Sequence, residues 1–297
     1  MINRQEYADK CFNSIMELQG VEEFKTMVQR LRKFQQNKEK YSVPDVTLPN
    51  YLWVAIRGGG ISTCIKSLTV YLYTAKIVEF TGIVKYFEYK LAYIAPDDFF
   101  SELTRLNNTI SEIAGHHRYF RGLACINIDE WIHHTNETHF YKFLDYIASN
   151  NNRILAILYV HDNNKRIVES IESSLSSHIR FESVWFRFPN ANELIEFIES
   201  KYFKQKSFYF TKDARLLLID SIERLINGKN FNGFTTIKQL ANDILYSLLT
   251  SNISGYEITA DMLTGFNKDS AYVKRIKTLA GDNSVIGFSS LNEEYSK

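Results

Sequence analysis

The sequence predicts an α/β chain: a parallel sheet flanked by helices on both faces, then a small all-helical domain. Three observations predict it. Short apolar runs rich in β-branched and aromatic residues recur at 51–56, 84–93, 122–128, 153–160 and 181–188. Stretches with three- and four-residue apolar spacing, long enough to cross over a sheet, separate them, and runs that are apolar throughout mark strands buried on both faces. After Pro189 these runs stop, and three helical patterns follow at 192–202, 211–226 and 235–249. The expected boundaries are 1–190 for the α/β domain with its N-terminal helices and 191–265 for the helical domain, leaving 266–297 unassigned.

Each element has a local reason. Val21, Phe24, Met27, Val28 and Leu31 recur at helical intervals within residues 3–39, and Gly20 divides that stretch into two helices. Pro44 and Pro49 make 41–50 a connector. The run at 51–56 leads straight into Gly58, Gly59 and Gly60, and residues 67–78 read as a helix with Leu68, Val70, Tyr71 and Ala75 inward. Further helices are expected at 97–114, capped by Asp97 or Asp98, at 137–149 and at 165–175. In the tail only a short helix at 271–279 suggests itself.

Composition narrows the function classes. Hydrophobic residues at 45% and charged residues at 23% describe a globular protein, and a net charge of +1 gives no global attraction to nucleic acid or anionic membrane. Cys11, Cys64 and Cys125 are far apart, which suggests neither a disulfide framework nor a zinc ribbon and fits a reducing compartment. The first residues lack an apolar signal core and no run approaches a membrane span, so a soluble, cytoplasmic protein without a membrane partner is expected.

A strand running into glycines and then into a helix is the layout of a phosphate-binding loop. Backbone N–H groups attract phosphate oxygens, a lysine neutralises charge and a hydroxyl ligates Mg²⁺. The pattern G-x-x-x-x-G-K-[ST] maps onto Gly60, Ile65, Lys66 and Ser67, with Gly58, Gly59, Thr63 and Cys64 also lining the loop. Ile65 then stands where a glycine lets the loop wrap the phosphate, and a β-branched side chain resists that backbone geometry. Downstream, the apolar run at 122–128 ends in Asp129 and Glu130. At that position the aspartate would hold Mg²⁺ with Ser67, and the glutamate would polarise an attacking water.

On these residues the chain resembles the AAA+ ATPase family over about 15–265, most closely its CbbX/CfxQ-like and sporulation stage V protein K-like members. The segment Gly20, Val21 to Lys25 is similar to the one that precedes the nucleotide loop in that family. Residues 153–163 resemble its sensor 1 strand, with Asn163, or Asp162 beside it, as the polar group that positions water. Residues 174–194 resemble its arginine-finger loop, strand and first lid helix, and the helices after Pro189 its lid. His178 stands where the relatives carry the trans-acting arginine, with Arg180 two residues on; Thr235 stands at the sensor 2 arginine, with Lys238 one turn later.

The resemblance implies weak binding of ATP or ADP with Mg²⁺, slow or absent hydrolysis, and a regulatory or assembly role. Its partners would be copies of itself or an intact AAA+ paralogue. The alternatives are a nucleotide-free interaction module and an active remodelling ATPase with a partner-supplied arginine.

Weaker signals have plainer readings. His133, His134 and His139 lie in a segment expected to be solvated rather than metal-binding, and His116, His117 and Arg118 read as an exposed helix end. Tyr93 to Phe100 could form an aromatic pore loop but reads better as the buried start of a helix. The basic positions Lys25, Arg30, Arg32, Lys33, Lys38 and Lys40 alternate with Gln and apolar residues, so a solvated helix is expected and nucleic acid is not.

Overall fold

In the computed structural model, the strands at 50–54, 122–127 and 154–160, buried at every position, form the centre of a parallel sheet. The structure describes residues 4–41, 48–78, 86–93, 99–114, 122–151, 154–228, 231–250 and 255–265. The tail beyond 265, the connector with Pro44, the caps Asp97 and Asp98, and the group His116, His117 and Arg118 lie outside the described residues. The chain divides into two units, Met1–Arg187 and Phe188–Lys297.

In the first unit, α1 (Arg4–Met16) and α2 (Glu22–Tyr41) precede β1 (Asn50–Val54) and α3 (Ile61–Thr74). Then come β2 (Tyr86–Lys90), α4 (Phe99–Ala114), β3 (Gly122–Asn127), α5 (Thr138–Ser149), β4 (Ile154–Val160), α6 (Lys165–Ser176) and β5 (Phe181–Trp185). The five strands form one sheet in the order β2-β3-β4-β1-β5, every neighbouring pair parallel. β1 therefore lies between β4 and β5, with Val54 level with Val160 on one side and Trp185 on the other.

Side chains alternate across this sheet. Tyr51, Trp53, Cys125, Leu155 and Ile157 join Phe24, Leu31, Ile65 and Leu68 in a core on the side of α1, α2 and α3. Leu52, Val54, Ile126, Leu158 and Val160 join Phe99, Trp131, Phe143 and Ile171 in a core on the side of α4, α5 and α6. Gly20, with φ of 73°, turns the chain between α1 and α2. Phe24, Met27, Val28 and Leu31 make the buried stripe of α2, while Glu22 and Glu23 in its first turn and Lys38 and Lys40 in its last suit the helix dipole.

The second unit packs α7 (Ala191–Ile198), α8 (Lys212–Ile226), α9 (Gly233–Leu249) and α10 (Ala260–Gly265) around Leu194, Ile198, Phe203, Leu218, Ile222, Leu240 and Ile244. Asn190 starts α7 with a reciprocal cap: its side chain accepts from Glu193 N, and the Glu193 carboxylate accepts from Asn190 N. The sequence led us to expect helices alone here, yet β6 (Tyr209–Phe210) pairs in parallel with β7 (Glu257–Ile258). Two residues are too few to leave a readable alternation.

Among the described residues no helix is long and apolar enough to cross a membrane.

Phe24 fixes the N-terminal helices to the sheet, its ring set edge-on to Trp53 at 5.4 Å and stacked on Phe186 at 6.0 Å. Phe24→Ala should cost about 3–5 kcal/mol, because the buried ring leaves a cavity between two other aromatics. A urea midpoint close to wild type would contradict this packing.

Candidate functional site

The site is built on the carboxyl ends of β1, β3 and β4. β1 hands over to its loop at Ala55, whose N–H donates to Val160 O at 3.1 Å. Gly59 N then donates to Ile56 O at 3.0 Å and closes a tight turn. Gly58 and Gly60 have φ of 73° and 93°, a region that side chains disfavour. Gly59 is required for another reason: a Cβ there would meet the Ile56 carbonyl oxygen at 2.9 Å. So each of the three consecutive glycines is demanded by the backbone.

Helix α3 starts at once. Its first carbonyl, on Gly60, accepts from Cys64 N at 3.0 Å, and among the described residues no side chain caps it. The N–H groups of Ile61, Ser62 and Thr63 are therefore without an intrahelical acceptor, and Ser62 and Thr63 are exposed.

This start differs from the spacing read in the sequence. Ile61 and Ser62, not Lys66 and Ser67, open the helix after the glycines. Lys66 is exposed and Ser67 half-buried in the second turn. At 1.5 Å rise per residue the Lys66 Cα is about 9 Å along the axis from Gly60. Cys64 and Ile65 do not line the loop; they are 2% and 0% exposed in the core under α3. The physical reason is the stripe Ile61, Cys64, Ile65 and Leu68, which buries one face from the first residue of the helix. Ile65 is an ordinary interior helix residue, and the residue directly after the last glycine is Ile61, 4% exposed.

At the end of β3, Asp129, Glu130 and Trp131 form a single 3₁₀ turn, pinned by a hydrogen bond from Trp131 Nε1 to Ala92 O at 3.1 Å. Asp129 faces β4. Its Oδ1 accepts from His161 N at 2.7 Å and its Oδ2 is 2.8 Å from His161 Nδ1, while its own N–H donates to Asn127 Oδ1 at 3.3 Å. Burial pushes the Asp129 carboxyl up, but the hydrogen bonds from His161 and the Asn127 side chain together hold it below the usual carboxylate value.

Glu130 faces the other way, toward β2. Its Oε1 pairs with Lys90 Nζ at 2.5 Å and its Oε2 accepts from Tyr93 N at 2.9 Å. The Lys90 ammonium, and after it the Tyr93 N–H, lower the Glu130 carboxyl. Because β2 lies at the sheet edge beyond β3, this carboxylate is held away from the β1 loop.

At the end of β4 the residue turned to Asp129 is His161, which sequence reasoning passed over. Its one sequence signal is that it directly follows the last apolar residue of the strand. Asp162 Oδ1 accepts from Asn164 N, Asn164 caps α6, and Asn163 is exposed in the turn between them.

The remaining candidates are scattered. His178 lies 2.9 Å from Asp145 Oδ1 and stacks on Tyr141, so it is engaged by α5. The Arg180 side chain is exposed, and its carbonyl accepts from Asn50 N at 3.0 Å. Thr235 and Lys238 are exposed on α9 of the second unit. His134 pairs with Glu137 at 2.6 Å and stacks on Tyr93, while His139 sets its edge against Phe99. Phe99 is buried, as a helix start requires. Of the basic stretch, Lys25 pairs with Glu22, Arg30 with Glu182 and Arg32 with Asp9. Among the described residues no group of three His, Cys, Asp or Glu side chains is arranged to hold a metal ion.

No family model matches the chain, and no curated protein matches it.

The depressed Asp129 carboxyl makes a pH-dependent contribution to stability. A group whose folded pKa is lowered stabilises fully above its unfolded value of about 3.9, and that contribution is lost as pH falls through the folded value. Asp129→Asn should therefore unfold at lower urea than wild type at neutral pH, with the gap narrowing below about pH 5. A gap that stayed constant down to acid pH would show that ionisation of Asp129 contributes nothing to stability.

Proposed function

We propose that Met1–Arg187 is a P-loop domain of AAA+ type that binds ATP or ADP weakly, with slow or absent hydrolysis, in a regulatory or assembly role. The observation that carries the reading is the loop of three backbone-demanded glycines. It leads from the inner strand β1 of a parallel sheet ordered β2-β3-β4-β1-β5 into the uncapped start of a fourteen-residue helix. In open parallel sheets the crevice beyond the strand carboxyl ends, where successive crossovers diverge, is where ligands bind. Here β1 is that point: the chain leaves it for β2 at one edge and returns from β4 to β5 at the other. Uncapped N–H groups and the helix dipole favour a phosphate at such a place.

Weak affinity follows from what accompanies the loop. A buried isoleucine replaces the lysine that would meet the β- and γ-phosphates, and Lys66 lies a turn and a half too far along. Slow hydrolysis follows from Glu130, whose oxygens are taken by Lys90 and Tyr93. The helices of the second unit would serve as the lid. The partners in this reading are further copies of the chain or an intact AAA+ relative that supplies the groups missing here. A second reading, a nucleotide-free interaction module of the same shape, draws its support from Ile61.

Titration calorimetry with ADP separates the two. Binding should be measurable, should be unchanged within about twofold in Lys66→Ala, and should be lost in Gly60→Val, whose side chain would crowd the loop at positive φ. Circular dichroism of the glycine variant guards against simple unfolding. Absence of heat and of any thermal shift with wild type would leave the nucleotide-free module.

A further inference from the structure

Resting on the nucleotide reading, we infer that this site takes its nucleotide without a divalent cation, because His161 occupies the carboxylate that a cation would need. In P-loop sites the ion is held between the hydroxyl at the helix start and the strand-end aspartate. Mg²⁺ requires near-octahedral oxygen donors at about 2.0–2.1 Å and gives up its own water reluctantly. The donor set here does not fit that demand.

Asp129 offers its two oxygens to two N–H groups of one residue, the backbone and the ring of His161, at 2.7 and 2.8 Å. The ring is held from another side as well: Tyr159 meets it edge-on at 5.4 Å. A cation drawing on Asp129, directly or through one of its waters, would have to share a half-buried carboxylate that already accepts two charge-assisted bonds, on the side where the His161 ring stands.

The neighbouring carboxylates are committed too. Glu130 is bound to Lys90 and to Tyr93 N, and Asp162 accepts from Asn164 N. Ser67, the expected second ligand, is in the second turn of α3, so among the described residues the first turn of the helix offers the neutral hydroxyls of Ser62 and Thr63. Beyond the phosphates of the nucleotide itself, neutral hydroxyls with no uncommitted carboxylate beside them are a poor donor set for a divalent ion. The imidazole thus takes the cation's part beside Asp129.

The test is calorimetric titration of the full chain with ADP, in excess MgCl₂ and in excess EDTA. The two dissociation constants should agree within about twofold. A loss of about tenfold or more in EDTA would overturn the inference while leaving the nucleotide reading intact. No binding in either buffer would remove the nucleotide reading and this inference with it. Replacing His161 makes the assignment specific: His161→Ala frees Asp129 and should make ADP binding depend on Mg²⁺, whereas His161→Asn, which keeps a donor toward Asp129, should stay indifferent to EDTA. If His161→Ala folds by circular dichroism and is equally indifferent, His161 is not what displaces the ion.

Discussion

The site depends on one short piece of backbone, the turn between Val54 and Ile61. A parallel strand must reverse into a helix that packs back on the same sheet, and here six residues do it. Two of the glycines supply positive φ, and the third clears the Ile56 carbonyl oxygen. A side chain at any of these positions would open the turn, shift the start of α3 and disturb the burial of Ile61, Cys64, Ile65 and Leu68 beneath it. The geometry that offers free N–H groups to a ligand is thus the same geometry that lets α3 cover β1, and neither can be altered alone.

The second organising fact is that the acidic residues at the strand ends are used within the protein. Asp129 ties the end of β3 to β4 through His161, and Glu130 ties it to β2 through Lys90. Each contact bridges neighbouring strands just past the last ladder hydrogen bonds, where a parallel sheet otherwise frays. These carboxylates have the positions of a metal- and water-handling pair and the bonding of structural clasps. Lowered carboxyl pKa values follow from those partners, and at a strand end such a shift indicates a satisfied contact as readily as chemistry.

Much of the fold was legible because its signals are local. The buried strands announce themselves as apolar runs, the helices as apolar stripes, and the loop as consecutive glycines. The start of α3 was misjudged because Lys66 and Ser67 match a motif by residue type, while the stripe beginning at Ile61 shows that the helix is already under way seven residues after β1 ends. Motif spacing and helical periodicity competed there, and burial decided in favour of periodicity. The pairs Asp129–His161 and Glu130–Lys90 could not be read at all, since they join residues on different strands and depend on sheet order. His161 does not stand out beside Asn163 and Asp162 for the same reason: only the end of β4, relative to Asp129, tells which polar residue faces it.

Charge sets the limit on what such a loop can hold. The start of a helix contributes about half a positive charge, effective within its first turn. A P-loop normally adds a lysine and a divalent ion to that, against the several negative charges of a nucleoside di- or triphosphate. Here the helix start has lost the lysine to Ile61, and the aspartate that would steady the ion is bound to His161. On the nucleotide reading proposed above, what is left would favour the ligand with the least phosphate charge to neutralise, so ADP would suit the loop better than ATP. On that same reading, a protein that held product-like nucleotide without turning it over would act through the conformation the nucleotide stabilises, which is why the proposal above is a regulatory or assembly role.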